Sequence, residues 1–157
     1  MGRTRVLLVV LLFLVLLTGC VTTLSQGQID EAKSADYGKP LTLNYETFIK
    51  DYFKESLFDP YSAVFEFKKP QRVFYKPGIW EGGGQLTKKL YAGYVVVVSV
   101  NAKNQFGGYV GAKRYGFLFK NDQLLTVLND FNSGAVYLPD SDQLIQQSQN
   151  PIKRVMS

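Results

Sequence analysis

The sequence predicts an α+β domain in which one amphipathic helix packs on an antiparallel meander sheet of four to five strands. Apolar residues make up 46% of the 157 residues and charged residues 20%, which is the composition of a folded chain. Residues 44–57 repeat apolar side chains at helical spacing, and after Pro60 the apolar period changes to two. One helix followed by several short strands is typical of an α+β fold.

The predicted helix spans residues 44–57 and turns one apolar stripe towards the sheet. Asn44 is a suitable N-cap, and Glu46 and Lys50 are spaced for an i,i+4 ion pair on the polar face. Asp59-Pro60 ends the helix, because proline disfavours helical geometry in the residue before it. The stripe, which we assign to the core, consists of Tyr45, Phe48, Ile49, Tyr52, Phe53, Ser56 and Leu57.

Short runs with a period of two supply the strands of the predicted sheet. Asn121-Asp122 is a two-residue hairpin turn that pairs Lys120 with Gln123 and sets an uninterrupted register for the hairpin. Residues 135–138 are the candidate for a last strand. The other strand segments are 62–67, 72–76, 91–101, 113–120 and 123–128.

The predicted sheet has a second apolar face that the helix does not cover. One helix of about 14 residues is too short to cover both faces of a sheet of this size. The C-terminal segment, the N-terminal tether or a partner should cover the remaining face, because a large exposed apolar patch is unusual in a monomer. We place five residues on this face: Val95, Val97, Leu118, Leu125 and Val127.

Residues 1–19 have the layout of a signal peptide. Arg3 and Arg5 form a basic start, and Val6–Leu17 is an unbroken apolar run. At about 1.5 Å per residue this run spans roughly 18 Å, which is too short for a bilayer core of about 30 Å. The residues that follow, Leu17-Thr18-Gly19-Cys20, resemble the lipobox of bacterial lipoproteins.

This resemblance implies a covalent lipid anchor on Cys20, which is the one cysteine of the chain. In lipoproteins the cysteine thiol receives a diacylglyceryl group, and the chain is cut before it, here between Gly19 and Cys20. Two or three acyl chains hold a protein firmly to a bilayer, whereas a single chain holds it only marginally. Val21 stands where aspartate retains enteric lipoproteins at the inner membrane, so the resemblance implies the outer membrane and its periplasmic face.

The mature chain divides into three parts. Residues 20–40 are interpreted as a lipidated N-terminus and a flexible tether, because they are polar and lack apolar periodicity. Residues 41–138 form the predicted α+β domain. Residues 139–157 form a C-terminal segment with a weakly predicted helix and a loose tail.

The sequence offers no pattern of catalytic or metal-binding residues. The absence of histidine and the presence of one cysteine exclude a Ser-His-Asp triad, a Cys-His dyad, a structural zinc site and an internal disulfide. The glycine clusters 82–84 and 107–111 lack the residues of a nucleotide-binding loop. We therefore predict a protein that is not an enzyme and needs no cofactor; a hydrolase with an unrecognised carboxylate site is the less favoured alternative.

Residues 68–91 combine basic and aromatic side chains and form the predicted binding region. Residues 68–89 contain six Lys and Arg against one acid, Glu81. The anions within reach of an envelope protein are lipid headgroups, peptidoglycan carboxylates and acidic protein surfaces, and we expect no nucleic-acid partner. The candidate binding residues are Lys68, Lys69, Arg72, Lys76, Trp80, Lys88 and Lys89.

Two segments of the mature domain resemble recurring pieces of small envelope lipoproteins, most of them without an assigned function. They are 45–67, with Ser-Leu-Phe-Asp-Pro-Tyr-Ser-Ala at 56–63, and 101–119, with Asn-Ala-Lys-Asn-Gln-Phe-Gly-Gly-Tyr at 101–109. We predict a non-enzymatic lipoprotein that binds other envelope components, for example as an accessory subunit of an envelope or secretion complex. The alternative is a module that binds peptidoglycan or anionic lipid headgroups through residues 68–91.

Overall fold

The computed structural model describes residues 24–77, 89–129 and 134–145. These residues form two helices and one antiparallel sheet of seven strands, so the predicted α+β class is confirmed and the sheet has more strands than predicted. The helices are α1 (Gln26–Ser34) and α2 (Tyr45–Lys54). The strands are β1 (Asp59–Phe67), β2 (Gln71–Lys76), β3 (Tyr91–Lys103), β4 (Lys113–Lys120), β5 (Gln123–Asn129), β6 (Ala135–Leu138) and β7 (Gln143–Ile145).

The long strand β3 organises the sheet, whose main strand order is β5-β4-β3-β2-β6-β7. In a simple meander β1 would pair with β2. Here the two strands do not pair with each other. Both strands instead lie end to end along the same edge of β3, with Phe67 opposite Val98 and Gln71 opposite Val95. Pro70 interrupts the run between them, because proline has no N–H to donate to a ladder. The 13 residues of β3 are enough to pair with both strands.

The hairpin of β4 and β5 begins in the predicted register and then shifts. Lys120 pairs with Gln123, as predicted, but Phe117 pairs with Val127 because the register shifts between Leu118 and Phe119. A bulge adds one residue to one strand and reverses the facing of the residues beyond it. The assignment of Val127 to the second face is therefore wrong: it packs against the cluster under α2, while Leu128 joins the second face.

Helix α2 forms where the sequence predicts a helix and ends three residues earlier, at Lys54. The side chain of Asn44 accepts a hydrogen bond from the backbone N–H of Thr47 at 3.1 Å, which confirms the N-cap. The Glu46–Lys50 ion pair forms at 3.8 Å. Helix α2 buries Ile49 and Phe53 against the β1, β3 and β4 strands.

Helix α1 corrects the prediction of a flexible tether over residues 20–40. Ser25 and Gln28 form a capping box, which supplies partners for the backbone N–H groups at the helix start. Ala32 is fully buried, and Leu24 and Tyr37 are buried with it in a cluster that includes Phe74 and Tyr137 of the sheet. Residues 24–37 are therefore part of the folded domain, and residues 20–23 of the predicted tether lie outside the described residues.

The second face of the sheet is apolar and buried. Val95, Val97 and Leu118 lie on it as predicted, whereas Leu125 is 38% exposed at the bulge. The described residues that form this buried cluster all belong to strands. Neither α1 nor α2 contributes a residue to it. The full set is Val73, Tyr75, Val95, Val97, Leu118, Leu128, Val136 and Leu138.

The described part of the C-terminal segment continues the sheet. The weakly predicted helix within 139–157 is wrong for Gln143–Ile145, because these residues form β7 on the edge of β6. The hydroxyl of Tyr137 donates a hydrogen bond to the carboxylate of Asp142, and this bond raises the pKa of Tyr137 to about 12. Residues 146–157 lie outside the described residues.

Asp122, in the β4–β5 turn, should make folding sensitive to acid. Its carboxylate accepts hydrogen bonds from the Thr42 hydroxyl and from the backbone N–H groups of Leu43 and Thr42, which hold its pKa below the usual range of an aspartate. A lowered carboxylate pKa adds stability above the unfolded pKa, and this stability is lost as the pH falls through the folded pKa. Asp122→Asn should therefore weaken the loss of stability below about pH 4. Urea unfolding at pH 3 and pH 7 measures this difference, and an unchanged pH slope would contradict it.

Candidate functional site

The predicted basic-aromatic binding residues do not all serve as free binding groups. Arg72 binds the carboxylate of Asp140 through its guanidinium group, which lowers the pKa of that carboxyl. The same guanidinium lies 5.6 Å from the centre of the Tyr37 ring. Arg72 therefore has a structural role in joining β2 to the residues around α1 and β6. Trp80 and Lys88 lie outside the described residues.

The remaining described basic residues of this region lie before β2, at the end of β2 and before β3. Lys68 and Lys69 are exposed before β2 begins, and Lys76 is its last residue, about 20 Å further along the strand. Lys76 lies 3.4 Å from the side chain of Gln28 on α1, whereas the ammonium of Lys89 lies 4.9 Å from the Tyr91 ring centre. The described members of the predicted site therefore do not form one patch.

A different surface collects most of the exposed large apolar side chains of the described residues. Six of them lie at the end of the sheet where β3 leads into β4, with exposed fractions between 51% for Tyr109 and 95% for Tyr61. Exposed apolar side chains gathered in one place often mark a contact surface. We call this surface the tip; it consists of Phe58, Tyr61, Val64, Phe106, Tyr109 and Val110.

Strand pairing brings the two halves of the tip together. Asp59 pairs with Lys103 and Val64 with Asn101, so the start of β1 lies beside the end of β3. The connection from β3 to β4 then folds back, and Tyr109 forms an isolated bridge with Lys103. Residues 58–64 and 104–110, which are distant in the chain, therefore share one end of the sheet.

The tip connection has a defined backbone geometry. The side-chain oxygen of Asn104 accepts hydrogen bonds from the backbone N–H groups of Phe106 (2.9 Å) and Gly108 (3.1 Å). The backbone N–H of Asn104 also donates to the Gly108 carbonyl at 2.9 Å. Gly107 has a φ of 78°, which glycine adopts without the penalty of other residues. These bonds fix the position from which Phe106 projects.

Ser62 makes four hydrogen bonds, and two of them, to Lys103 and Tyr109, link the two halves of the tip. Its hydroxyl accepts from the backbone N–H of Lys103 at 2.9 Å and donates to the Asp59 carbonyl at 2.9 Å. Its backbone N–H donates to the Asp59 carboxylate at 3.2 Å, and its carbonyl accepts from the Tyr109 hydroxyl at 3.2 Å. The exposed aromatic side chains are thus held on an ordered support, as in binding sites carried by loops on a rigid scaffold.

The tip is suited to contact with another molecule. Aromatic side chains lose little conformational entropy on binding and bury a large area, which makes them frequent anchors at interfaces.

In residues 24–77, 89–129 and 134–145, no group of three or more acidic, cysteine or histidine side chains is placed to hold a metal ion. No helix in these ranges is long and apolar enough to cross a membrane.

Comparisons with known proteins found no matching family model, no matching curated protein and no matching solved structure.

Sequence reasoning did not assign the tip as a site, although it singled out both of its segments for their resemblance to envelope lipoproteins. A signal was present in residues 104–111, where Phe106, Tyr109 and Val110 stand among glycines and polar residues without any period. Large apolar side chains in a glycine-rich turn have little reason to occur unless they pack or bind. The exposure of Phe106 (84%) shows that this side chain does not pack within the domain.

Proposed function

We propose that this protein is a lipid-anchored envelope protein, not an enzyme, whose folded domain binds another envelope component through the tip. The observation that carries the proposal is the tip itself, an ordered support that presents exposed aromatic side chains to solvent. A place in the outer membrane, on its periplasmic face, and a role as an accessory subunit of an envelope or secretion complex belong to the same proposal.

The short link between Cys20 and the fold supports a domain held close to the membrane. Leu24, which is four residues after Cys20, is buried with Phe74 and Tyr137. Four residues span at most about 14 Å. An acylated Cys20 therefore keeps the α1 end of the domain near the bilayer surface.

Processing at Cys20 is the first test of this proposal. Intact-mass measurement of the protein extracted from membranes should give a chain that starts at Cys20 and carries acyl groups. The reason is the Leu17-Thr18-Gly19-Cys20 sequence, which resembles a lipobox. Cys20→Ala should prevent acylation and release the domain from its lipid attachment without unfolding it, because Cys20 precedes Leu24, the first buried residue in the part of the chain that the structure describes. A chain that keeps Met1 and an unmodified Cys20 would contradict the lipoprotein proposal.

The alternative function is recognition of peptidoglycan or anionic lipid headgroups by the basic-aromatic region. The observation that favours it is the adjacent pair Lys68 and Lys69, both exposed at the β1–β2 connection. Each Lys near an anionic surface contributes about 1 kcal/mol. Cosedimentation of the purified protein with peptidoglycan, compared between the parent chain and a Lys68→Glu/Lys69→Glu variant, distinguishes this function from binding through the tip.

A further inference from the structure

The β3–β4 connection that carries half of the tip is basic. Residues 103–114 contain Lys103, Lys113 and Arg114 and no Asp or Glu, and residues 58–64 contain one acid, Asp59, whose carboxylate accepts a hydrogen bond from the Ser62 backbone N–H. The ammonium of Lys103 lies 5.7 Å from the centre of the Tyr109 ring, so a positive charge borders the aromatic surface directly. Lys113 is exposed at the start of β4. A surface that complements this loop needs negative charge around an apolar centre.

The apolar side chains of the tip do not all lie at the end of the sheet. Some of them lie further back, along strand β1. Val64 lies opposite Asn101, whereas Phe106 is five residues beyond Asn101 along the chain. At about 3.3 Å per residue, the tip surface continues back along the edge of the sheet for on the order of 10–15 Å. A flat bilayer surface would meet only the far end, while a concave protein surface can also meet the side formed by β1.

The tip also lies far from the anchored end of the domain. Tyr94 of β3 packs against the cluster that contains Leu24, and Lys103 lies nine residues further along the same strand. This separation is about 30 Å. With Leu24 close to the membrane, the tip lies about 30 Å from the anchored end of the domain.

From these three observations we infer that the tip docks into an apolar pocket with an acidic rim on a partner protein, at a distance from the anchoring membrane. Phe106 and Tyr61 are the anchors that enter the pocket, because they are the most exposed of the six side chains. Lys103 and Lys113 face the acidic rim. This inference rests on the proposed function and adds to it the chemistry of the partner and the orientation of the domain.

In-cell photocrosslinking of the full-length chain tests this inference. A photoreactive phenylalanine analogue is placed at Phe106 or Tyr61, and at Glu46 on the exposed face of α2 as a control. Both tip positions should crosslink to the same protein, identified by mass spectrometry, and Glu46 should not. Removing a central aromatic anchor costs about 2 kcal/mol or more, so Tyr61→Ser should lower the crosslink yield at Phe106 by roughly thirtyfold.

A charge reversal tests the acidic rim separately. Lys113→Glu should lower the crosslink yield at Phe106 by about tenfold, whereas Lys39→Glu, an exposed reversal beside the β4–β5 turn and away from the tip, should not change it. An acidic residue of the identified protein changed to lysine should restore the yield with Lys113→Glu. An unchanged yield in the Lys113→Glu variant would overturn the acidic rim.

Other outcomes would overturn the docking inference, and they can be told apart from a failure of the proposed lipid anchor. Crosslinks to phospholipid would assign the tip to a bilayer, and crosslinks to a second copy of this chain would assign it to self-association. The absence of any crosslink from Phe106 and Tyr61 would show that the tip is not a contact surface. The proposal of binding through the tip would then be wrong. The mass of Cys20 in the same preparation is an independent readout, because the lipid anchor fails only if that residue is unmodified.

Discussion

Phe53→Ala should lower the free energy of unfolding by about 3–5 kcal/mol, because the change removes a buried ring and leaves a cavity. Phe53 is 3% exposed, and its ring centre lies 4.9 Å from that of Tyr115, 5.8 Å from that of Phe117 and 5.9 Å from that of Phe65. Against a total stability of roughly 5–15 kcal/mol, this loss removes most of the stability at the lower end of the range and about a quarter at the upper end. Urea unfolding followed by circular dichroism measures it.

Two residues of the same helix serve as controls for Phe53. Phe48 belongs to the predicted core stripe, but its side chain is 37% exposed and its ring contacts Phe119 edge-on at 5.6 Å. Phe48→Ala should therefore cost clearly less than Phe53→Ala, which corrects the equal core role that helical spacing gave to the two residues. Lys50→Ala should cost less than about 0.5 kcal/mol. Equal losses at all three positions would show that α2 does not pack on the sheet through this face.

Local sequence patterns predicted the elements of this fold better than they predicted how the elements meet. The valine-rich run of β3 and the Asn121-Asp122 turn are local signals, and both elements form where they were predicted. The bulge near Leu118 and the end-to-end placement of β1 and β2 depend on how strands twist and pair in the assembled sheet. The alternation of apolar and polar residues within one strand does not predict where a bulge forms or which strand pairs with which.

Helix α1 was missed because its stability comes from contacts outside the helix. Its nine residues are mostly polar, and only Ala32 is buried among them. Isolated helices of this length are marginal in water, so the packing of neighbouring residues decides whether they form. The Ser25 and Gln28 capping box was the one local signal that could have indicated a helix start.

The tip could not be located from the sequence because its two halves are distant in the chain. Residues 58–64 and 104–110 share one end of the sheet only because β1 pairs with the end of β3 and Ser62 bonds to Lys103 and Tyr109. Composition along the chain instead pointed to residues 68–91, where basic residues are dense. In the structure, Arg72 of that region donates a hydrogen bond to the carboxylate of Asp140, which is 68 residues away in the chain.

Tyr37→Ala should lower the free energy of unfolding by about 3 kcal/mol or more, since it removes a large buried ring between α1 and the sheet. Tyr37 is 6% exposed, and its hydroxyl donates a hydrogen bond to the carbonyl of Ala32 at 2.6 Å. Tyr37→Phe keeps the ring and loses only this bond, so it should cost about 1 kcal/mol. Urea unfolding of the two variants beside the parent protein measures both values.

The ratio of these two losses decides whether the segment before α2 belongs to the fold. A flexible tether over residues 20–40 would make both Tyr37 variants neutral, because a residue in a solvated tether has no buried contacts to lose. In that case an acylated Cys20 would hold the domain through a long, mobile link, and the tip could turn towards the anchoring membrane. A large loss for Tyr37→Ala and a small one for Tyr37→Phe would instead fix Leu24 beside the sheet, and with it the separation of about 30 Å between the anchored end and the tip.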